Sequence, residues 1–328
     1  MITRLGISVV FTLSCVSCST DSDGSTPTGT PATSTSASAI VPAGAPTTPA
    51  PPAADTTLAP DTALATALTA AALTDELSAI EAGLRVPDAS PAELAALGER
   101  QQLAYRAVNR HPEWHVHLRK SVDAVAAGPL EFHLAARAAQ TEHAANRSAV
   151  APATTLPAWT IVEPLPIDEL LGYYREAQTV TGVPWQYLAA IHFQETRMGR
   201  VVGVSSAGAI GPMQFLPSTW AACCEGDATV ARDAIIGAAQ YLVDRGGPAD
   251  MHAALYGYNP NDGYVGAVTA YAQAMIADER AYLGYHGWQV FYGTSEGTVR
   301  LPVGYMAATE VDVLAYVREH PEDVLPGV

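Results

Sequence analysis

The chain has 328 residues, which is enough for one or two domains with cores of their own. Charged residues make up only 15% of it and the formal net charge is -16, so the sequence contains no basic patch for a polyanion. Nucleic acids and anionic lipid headgroups are therefore poor partners for this surface.

The N-terminus predicts export from the cytoplasm. Arg4 precedes an apolar run, Leu5 to Leu13, that is too short to span a bilayer but has the length of a signal-peptide core. The following Val16-Ser17-Cys18 resembles a bacterial lipobox, so we expect residues 1–18 to be a signal peptide with Cys18 lipidated. Cys15, where an aliphatic residue is usual, is the second choice of acceptor. An ordinary cleaved signal with incidental cysteines is the alternative to a membrane-anchored lipoprotein.

Residues 19–63 are predicted to be a disordered tether. They are mostly Ser, Thr, Pro, Ala and Gly, and such a composition cannot bury a core. A flexible chain of this length averages about 37 Å from end to end. The tether would therefore let an anchored domain reach polymer that lies above the lipid.

Residues 64–148 are predicted to form a helical N-terminal region. Ser90 to Glu93 reads Ser-Pro-Ala-Glu, which is a capping box with proline at the first helical position. Because His115 and His117 point in different directions on a helix, the pair does not favour a metal site. A segment rich in Pro, Ala and Thr at 149–157 is the expected linker between this region and the domain that follows. The histidines of the region are His111, His115, His117, His133 and His143.

Residues 158–328 are predicted to form one mainly helical domain. Two short strands, Trp288–Tyr292 and Thr298–Val303, flank the turn Gly293–Gly297 and indicate a hairpin. The adjacent Cys223 and Cys224 are expected to stay unbridged, because a disulfide between neighbours is strained. The predicted helices, each bounded by Gly, Pro, Asn or Asp, are Ile167–Thr181, Pro184–Arg197, Pro217–Cys224, Val230–Asp244, Pro248–Tyr256 and Gly263–Arg280.

Glu195 is the candidate acid. With Leu188 and Ile191 it lies on one apolar face of its helix, so the carboxyl should point inward or into a cleft. A carboxyl without water and without a cation has a raised pKa and keeps the proton that acid catalysis on a sugar chain needs. The alternative is a glutamate that pairs with Arg197, Arg200 or a histidine.

Two later stretches supply groups suited to binding sugars. Ser205 to Gln214 is rich in glycine, so its backbone can approach a ligand closely. Within it, Met213 is a deformable apolar wall and Gln214 offers both donors and an acceptor. Tyr258 and Asn259, followed by Tyr264, add ring faces and a phenol that can bond a carboxyl.

Together these stretches resemble the lysozyme-like lytic transglycosylases, which cleave peptidoglycan, and most closely the type called MltB-like or family 3. Glu195-Thr196 matches the motif of a glutamate followed by a small hydroxyl residue, with Thr where Ser is commoner. Ser205 through Gln214 matches the motif of a serine, Gly-Ala-x-Gly and Met-Gln. Tyr258-Asn259 with a second tyrosine, Tyr264, matches the third. The resemblance covers roughly Leu165 to Tyr305.

The resemblance implies a mainly α, lysozyme-like domain with a small β-hairpin, in which Glu195 is the sole acid/base. It implies cleavage of the β-1,4 bond between N-acetylmuramic acid and N-acetylglucosamine without water, closing a 1,6-anhydro ring. No cofactor or metal is expected. The partner is the peptidoglycan glycan strand, and we expect a monomer. The residues implied to shape the cleft and bind the glycan are Ser205, Met213, Gln214, Tyr258, Asn259 and Tyr264.

Two other functions stay open. One is a hydrolytic muramidase of the same fold, in which Asp227 or Asp262 holds an attacking water, since ordinary glycosidases use two carboxylates. Both residues occupy turn or cap positions, as does Asp233, and this favours the reaction without water. The other is a non-catalytic, glycan-binding lipoprotein that uses the fold as a clamp.

Overall fold

The computed structural model describes residues 68–145 and 151–325. The predicted signal peptide, the lipidation candidates Cys15 and Cys18, and the tether at 19–63 lie outside these residues. The described residues from Thr69 onward belong to one compact unit that is mainly helical, as predicted. In this described part, no helix has the length and apolarity required to cross a bilayer.

The N-terminal region is helical, as expected. The predicted capping box is present: the Glu93 backbone N–H donates to Ser90 Oγ over 3.3 Å, and the Ser90 backbone N–H donates to the Glu93 carboxylate over 2.7 Å. The helices of the region are α1 Ala70–Leu84, α2 Pro91–Arg110, α3 His115–Ser121 and α4 Ala124–Ala145, with a 3-10 turn at Pro112–Trp114.

The C-terminal region contains eight helices among the described residues. Six of them correspond to the predicted helices, whereas the short helices Ala281–His286 and Val313–Glu319 were not predicted. The predicted helix Gly263–Arg280 ends early, at Ala277, because the backbone of Asp278 is extended; a separate short helix begins at Ala281. The helices are α5 Ile167–Thr181, α6 Trp185–Thr196, α7 Pro217–Cys223, α8 Ala231–Val243, α9 Met251–Tyr258, α10 Asp262–Ala277, α11 Ala281–His286 and α12 Val313–Glu319; a 3-10 turn covers Pro321–Asp323.

Three two-stranded antiparallel sheets flank the helices. The predicted hairpin is present as β4–β5, but its turn is shorter than expected, because Thr294 pairs with Gly297 and only Ser295 and Glu296 lie between them. The other pairs, β1–β6 and β2–β3, join segments that are distant in the chain. The strands are β1 Thr155–Leu156, β2 Thr160–Ile161, β3 Val201–Val202, β4 Val290–Thr294, β5 Gly297–Leu301 and β6 Val311–Asp312.

Helix α6 lies at the centre of the fold. It packs against α5, α8, α10 and α11, and every residue from Tyr187 to Thr196 is buried. The Phe193 ring meets the rings of Tyr271 and Trp288 edge to face, with centroids 4.9 and 5.1 Å away. The expectation of a single apolar face on this helix was too narrow, since neighbouring elements cover it all round.

The N-terminal helices pack directly on the rest of the unit. α4 lies along α10, and α2 lies against α11. A Cβ added at Gly98 would come within 2.6 Å of the Gly287 Cα, so the backbones of α2 and of the residue after α11 touch there. The Trp288 indole N–H donates to Gln101 Oε1 over 2.8 Å, and the Gln101 amide donates to buried Glu81 over 2.7 Å.

Cys223 and Cys224 form a disulfide, so the expectation that they stay unbridged was wrong. Cys223 is the last residue of α7, and Cys224 follows with an extended backbone. The change from helical to extended backbone at this junction lets the two adjacent Sγ atoms meet.

Candidate active site

Glu195 is the penultimate residue of α6, and its side chain is almost fully buried, with 3% exposed. Burial raises the pKa of its carboxyl from 4.5 to about 8, because a charge there would lose its hydration. An interaction with the Tyr264 hydroxyl lowers the pKa in opposition, but burial is the larger effect. The carboxyl is therefore mostly protonated at neutral pH.

The basic residues that could have neutralised Glu195 are engaged elsewhere. Arg197 donates to the Phe193 carbonyl over 2.8 Å and stacks on the Phe193 ring, while Arg200 pairs with Glu163 at 3.1 Å. His192 Nδ1 lies 2.7 Å from the hydroxyl of Tyr174. Within residues 68–145 and 151–325, no cation forms an ion pair with Glu195, which excludes the alternative weighed from the sequence.

Thr196 joins the end of α6 to the glycine-rich stretch. Its hydroxyl donates to the Pro212 carbonyl over 2.7 Å and accepts from the Gly199 N–H over 3.1 Å. Thr196 is fully buried, whereas Pro212 is partly exposed, so the bond joins a buried side chain to the loop. The residue that follows Glu195 thus fixes the loop carrying Met213 and Gln214.

The glycine-rich stretch is a tight loop. Ser205 is buried, and its Oγ accepts the Ala209 N–H over 2.9 Å, so the predicted binding residue also closes the loop on itself. Ile210 and Phe215 exchange two backbone hydrogen bonds around the turn. Gly211 has φ 75°, and a Cβ there would lie 1.8 Å from the Ala228 carbonyl oxygen, so only glycine fits.

The third predicted motif contacts the second. The Tyr258 hydroxyl donates to the Met213 carbonyl over 2.6 Å, and both side chains are buried. The rings of Tyr258 and Tyr264 are parallel, at 5°, with centroids 6.5 Å apart. Burial, together with the charge that Glu195 would carry, raises the pKa of both phenols, so both stay protonated.

The side-chain oxygens of Gln214 and Tyr264 are of interest because they are buried and lack a normal hydrogen bond in the described part of the chain. The Gln214 amide N–H donates to the Gly211 carbonyl over 2.8 Å, which turns Oε1 the other way, and this oxygen has no partner in the described part of the chain. The Tyr264 Oη interacts with Glu195 but makes no hydrogen bond of ordinary geometry among the described residues. In enzymes without substrate, hydrogen bonds between catalytic groups are often long or poorly aligned, and they shorten when the substrate binds.

Asn259, the remaining predicted site residue, is buried at the C-terminal end of α9. Its backbone N–H donates to the Leu255 carbonyl over 2.9 Å, and its carbonyl accepts from Asn261 over 2.7 Å. The structure therefore brings Glu195, Tyr258 and Tyr264 together, and Tyr258 also bonds to the Met213 carbonyl. Gln214 is buried next to Met213 in the chain.

The aspartates considered as second acids do not join this cluster. Asp227 is exposed, and its carboxylate accepts from the backbone N–H and hydroxyl of Thr229, which lowers its pKa. Asp233 accepts from the Asp227 N–H over 3.0 Å. Asp262 is exposed in the first turn of α10. All three stabilise turns or helix starts, as the sequence indicated.

One cluster of metal-ligating side chains lies outside the three motifs. His320, Glu322 and Asp323 offer atoms within 4.8 Å of one another at the C-terminal 3-10 turn. Asp323 already accepts the Tyr316 hydroxyl over 2.7 Å, so this carboxylate anchors α12. The cluster therefore serves the C-terminal end of the fold rather than the Glu195 site.

Sequence reasoning missed Asn261. Its Oδ1 accepts the Tyr264 N–H over 3.0 Å and so caps α10, which positions Tyr264. An asparagine three residues before the position it caps is a recognisable helix-start signal. The side chain that Asn261 contacts in turn, His143, could not have been found from local sequence, because 118 residues separate the two.

A comparison with known proteins bears on this geometry. The chain is 30% identical over 127 residues to a membrane-bound lytic murein transglycosylase F of Thiobacillus denitrificans. The similarity is to a lytic transglycosylase. The matched region covers 36% of this chain but 27% of the relative, so the chain spans about a quarter of that protein's length. No family model matches the chain, and no solved structure matches it.

The match agrees with the helical architecture, which is consistent with a lysozyme-like transglycosylase fold. It supports a relation to lytic transglycosylases in general. It does not support the MltB-like type, since the relative is named as type F.

Proposed function

We propose that the protein is a peptidoglycan lytic transglycosylase that uses Glu195 as its single acid and base. The observation that carries the proposal is a buried carboxyl with a raised pKa and no cation partner among the described residues, which interacts with Tyr264 of the third motif. The similarity to a lytic murein transglycosylase supports the same reaction class. A glutamate with a purely structural role would be expected to form an ion pair or be solvated.

In the proposed first step, protonated Glu195 gives its hydrogen to the glycosidic oxygen between N-acetylmuramic acid and N-acetylglucosamine. The C1–O bond breaks, and the positive charge that develops at C1 is relieved by the acetamido group of the same sugar. Glu195 is then a carboxylate. The Tyr264 hydroxyl is positioned to donate to it, because its interaction with Glu195 favours the charged form.

In the second step, the Glu195 carboxylate removes the proton from the muramic O6. The O6 atom then bonds to C1 and displaces the acetamido oxygen, which closes the 1,6-anhydro ring. The carboxyl regains one proton, and no water is consumed. The sugar product is therefore lighter by one water than the product of hydrolysis.

The positions of the candidate second acids favour this route over a muramidase. Inverting and retaining glycosidases place two carboxyl groups about 5 to 9.5 Å apart. In the described chain, the candidates Asp227 and Asp262 are exposed and occupy turn or cap positions. An attack by the substrate's own O6 requires no such group.

The remaining motif residues are proposed to hold the glycan. Gln214 Oε1 is a fixed acceptor that would be satisfied by an amide N–H or hydroxyl of an amino sugar. Tyr258 supports Met213, which we propose lines a sugar subsite, while Ser205 and Asn259 shape the loops on either side.

We further propose that the protein acts outside the cytoplasm as a lipoprotein anchored through Cys18. The N-terminal sequence motif and its Ser/Thr/Pro/Ala-rich tether support this location. The MltB-like subtype also stays a prediction, resting on the resemblance of the three motifs.

The decisive test is the mass of the products released from purified sacculi. We expect anhydro ends from the wild type, none from Glu195→Gln, and sacculus binding largely unchanged in that variant. Asp227→Asn and Asp262→Asn serve as matched controls and should release glycan at the wild-type rate.

Each alternative has its own outcome. Release of reducing ends only, with loss of activity in Asp227→Asn or Asp262→Asn, would establish a muramidase. A wild-type protein that binds sacculi and releases nothing would be a glycan clamp.

A further inference from the structure

The end of α4 meets the start of the third motif. His143 lies in the last turn of α4, and its Nε2 is 3.0 Å from the Asn261 amide nitrogen. Close helix packing makes the contact possible: a Cβ on Gly263 would lie 2.5 Å from the His143 Cβ, and one on Gly266 would lie 2.5 Å from the Ala139 Cβ. Any side chain at either glycine would push α4 off α10.

The direction of the hydrogen bonds follows from their partners. Asn261 Oδ1 accepts the Tyr264 backbone N–H over 3.0 Å, so the amide N–H group must face His143 and donate to it. His143 Nε2 is then the acceptor, and the ring proton lies on Nδ1. Without the His143 ring nitrogen as acceptor, this contact would no longer hold the Asn261 amide in the orientation that caps α10.

The cap determines where Tyr264 lies. Tyr264 is in the first turn of α10, and its backbone N–H has no partner one turn earlier inside the helix, so it depends on Asn261. Its hydroxyl in turn interacts with Glu195. A chain of contacts thus runs from His143 through Asn261 and Tyr264 to the candidate acid.

We infer that His143 is a positioning residue for the Tyr264–Glu195 pair, so that helix α4 of the N-terminal region completes the active site. The inference rests on the proposed function for its catalytic meaning, but the geometry is independent of substrate. His143 acts only through Asn261 and has no contact of its own with Glu195 in the described structure.

The test compares three variants by NMR in the absence of substrate. His143→Ala removes the acceptor, and His143→Gln restores an oxygen near the Nε2 position. Thr141→Ala is the matched control, because Thr141 is an exposed residue of the same helix whose hydroxyl bonds only within it. The two readouts are hydrogen exchange of the Tyr264 backbone amide and the pKa of Glu195, followed by its carboxyl carbon.

We expect His143→Ala to speed exchange of the Tyr264 amide about fivefold or more, as loss of a cap would. The pKa of Glu195 should rise, because the Tyr264 hydroxyl no longer favours its charged form. His143→Gln and Thr141→Ala should behave as wild type. Because global unfolding also speeds exchange, the Tyr264 rate is compared with the rates of the α6 core amides in the same variant, which report overall stability. The Glu195 titration comes from the folded population.

On sacculi, His143→Ala should lower kcat with little change in KM. Unchanged exchange at Tyr264 together with an unchanged Glu195 titration would overturn the positioning role. If the NMR effects appear but the wild type releases no glycan, the positioning role is supported and the proposed function fails.

Discussion

The Thr196 hydroxyl donates a 2.7 Å hydrogen bond to the Pro212 carbonyl, so the residue beside the candidate acid holds the loop of the second motif. The Tyr258 hydroxyl holds the same loop from the other side, through the Met213 carbonyl. Three stretches that are separate in sequence are therefore tied together at two adjacent backbone carbonyls.

Replacing Thr196 by valine should detach this loop while keeping the shape of the side chain. The partly exposed Pro212 carbonyl would lose this partner, and the loss of one such hydrogen bond costs about 0.5–1.5 kcal/mol in the free energy of unfolding. Denaturant unfolding measures that loss, and glycan release should fall with it. Thr196→Ser keeps the hydroxyl and should stay close to wild type in both. Equal behaviour of the two variants would contradict the role of this bond.

Glu195→Gln should make the protein more stable near neutral pH. The pKa of Glu195 is about 8 in the folded protein, against an ordinary value of 4.5. The unfolded chain therefore releases a proton between pH 4.5 and 8 that the folded chain keeps. Wild-type stability falls across this window by about 1.4 kcal/mol per pH unit, and glutamine is not subject to that loss.

Relative to their difference at pH 4, the glutamine variant should gain roughly 3 kcal/mol on the wild type by pH 7 in denaturant unfolding. Glu225→Gln, at an exposed position, provides the control and should show no such gain. A stability difference that does not change between pH 4 and pH 7 would mean that Glu195 is ionised in the folded protein.

The pH dependence of glycan release should report the same carboxyl. Only the protonated form can donate, so kcat/KM should fall about tenfold per pH unit above a pKa near 8. Tyr264→Phe removes the interaction that lowers this pKa and should move the decline to higher pH. A decline that stays in place in Tyr264→Phe would separate this hydroxyl from the acid.

Two glycines in the loop should respond differently to alanine. Gly208 and Gly211 both have a positive φ, which costs a side chain roughly 1–2 kcal/mol. Around Gly208 an added Cβ meets nothing within 4 Å, but at Gly211 it would meet the Ala228 carbonyl at 1.8 Å. Gly211→Ala should therefore lower both the melting temperature and glycan release much more than Gly208→Ala. If both variants lost melting temperature and activity to the same extent, the loop would have to move enough to accommodate a side chain at Gly211.

A fragment that begins at residue 151 should not fold by itself. Without α2 and α4, the Gly287 backbone, the Trp288 indole and the flank of α10 would lose their buried partners. We expect poor dispersion in its NMR spectrum, whereas a fragment beginning at residue 68 should give a native spectrum. A well-dispersed spectrum from the shorter fragment would make the N-terminal helices a separate domain.

Local sequence signals were sufficient for helices α5 to α10 of the C-terminal region and for the three motifs, but α11 and α12 were not predicted. α5 has the predicted bounds because Gly182 stops it with a left-handed backbone, and the capping box at Ser90 begins α2 as expected. Glu195 was identified because a lone acid among apolar residues is conspicuous. Its burial followed from the same pattern.

Features set by distant parts of the chain were not predictable in this way. β1 pairs with β6 across more than half of the domain, and each strand has only two residues, too few for a period of two to be recognised. His192 and Gln194 are polar but buried, since neighbouring elements cover α6 on all sides. The Cys223–Cys224 bond depends on a backbone change at the end of α7 that composition does not encode.

The burial of α6 affects how Glu195 regains its proton after each reaction. Because the Glu195 carboxyl has so little access to bulk water, we expect it to take up a proton from solvent only slowly between turnovers. In the proposed cycle, the hydrogen lost to the departing sugar is replaced by one from the same glycan strand. In this cycle each cleavage leaves Glu195 protonated for the next one, and no other group has to carry a proton to it from the solvent.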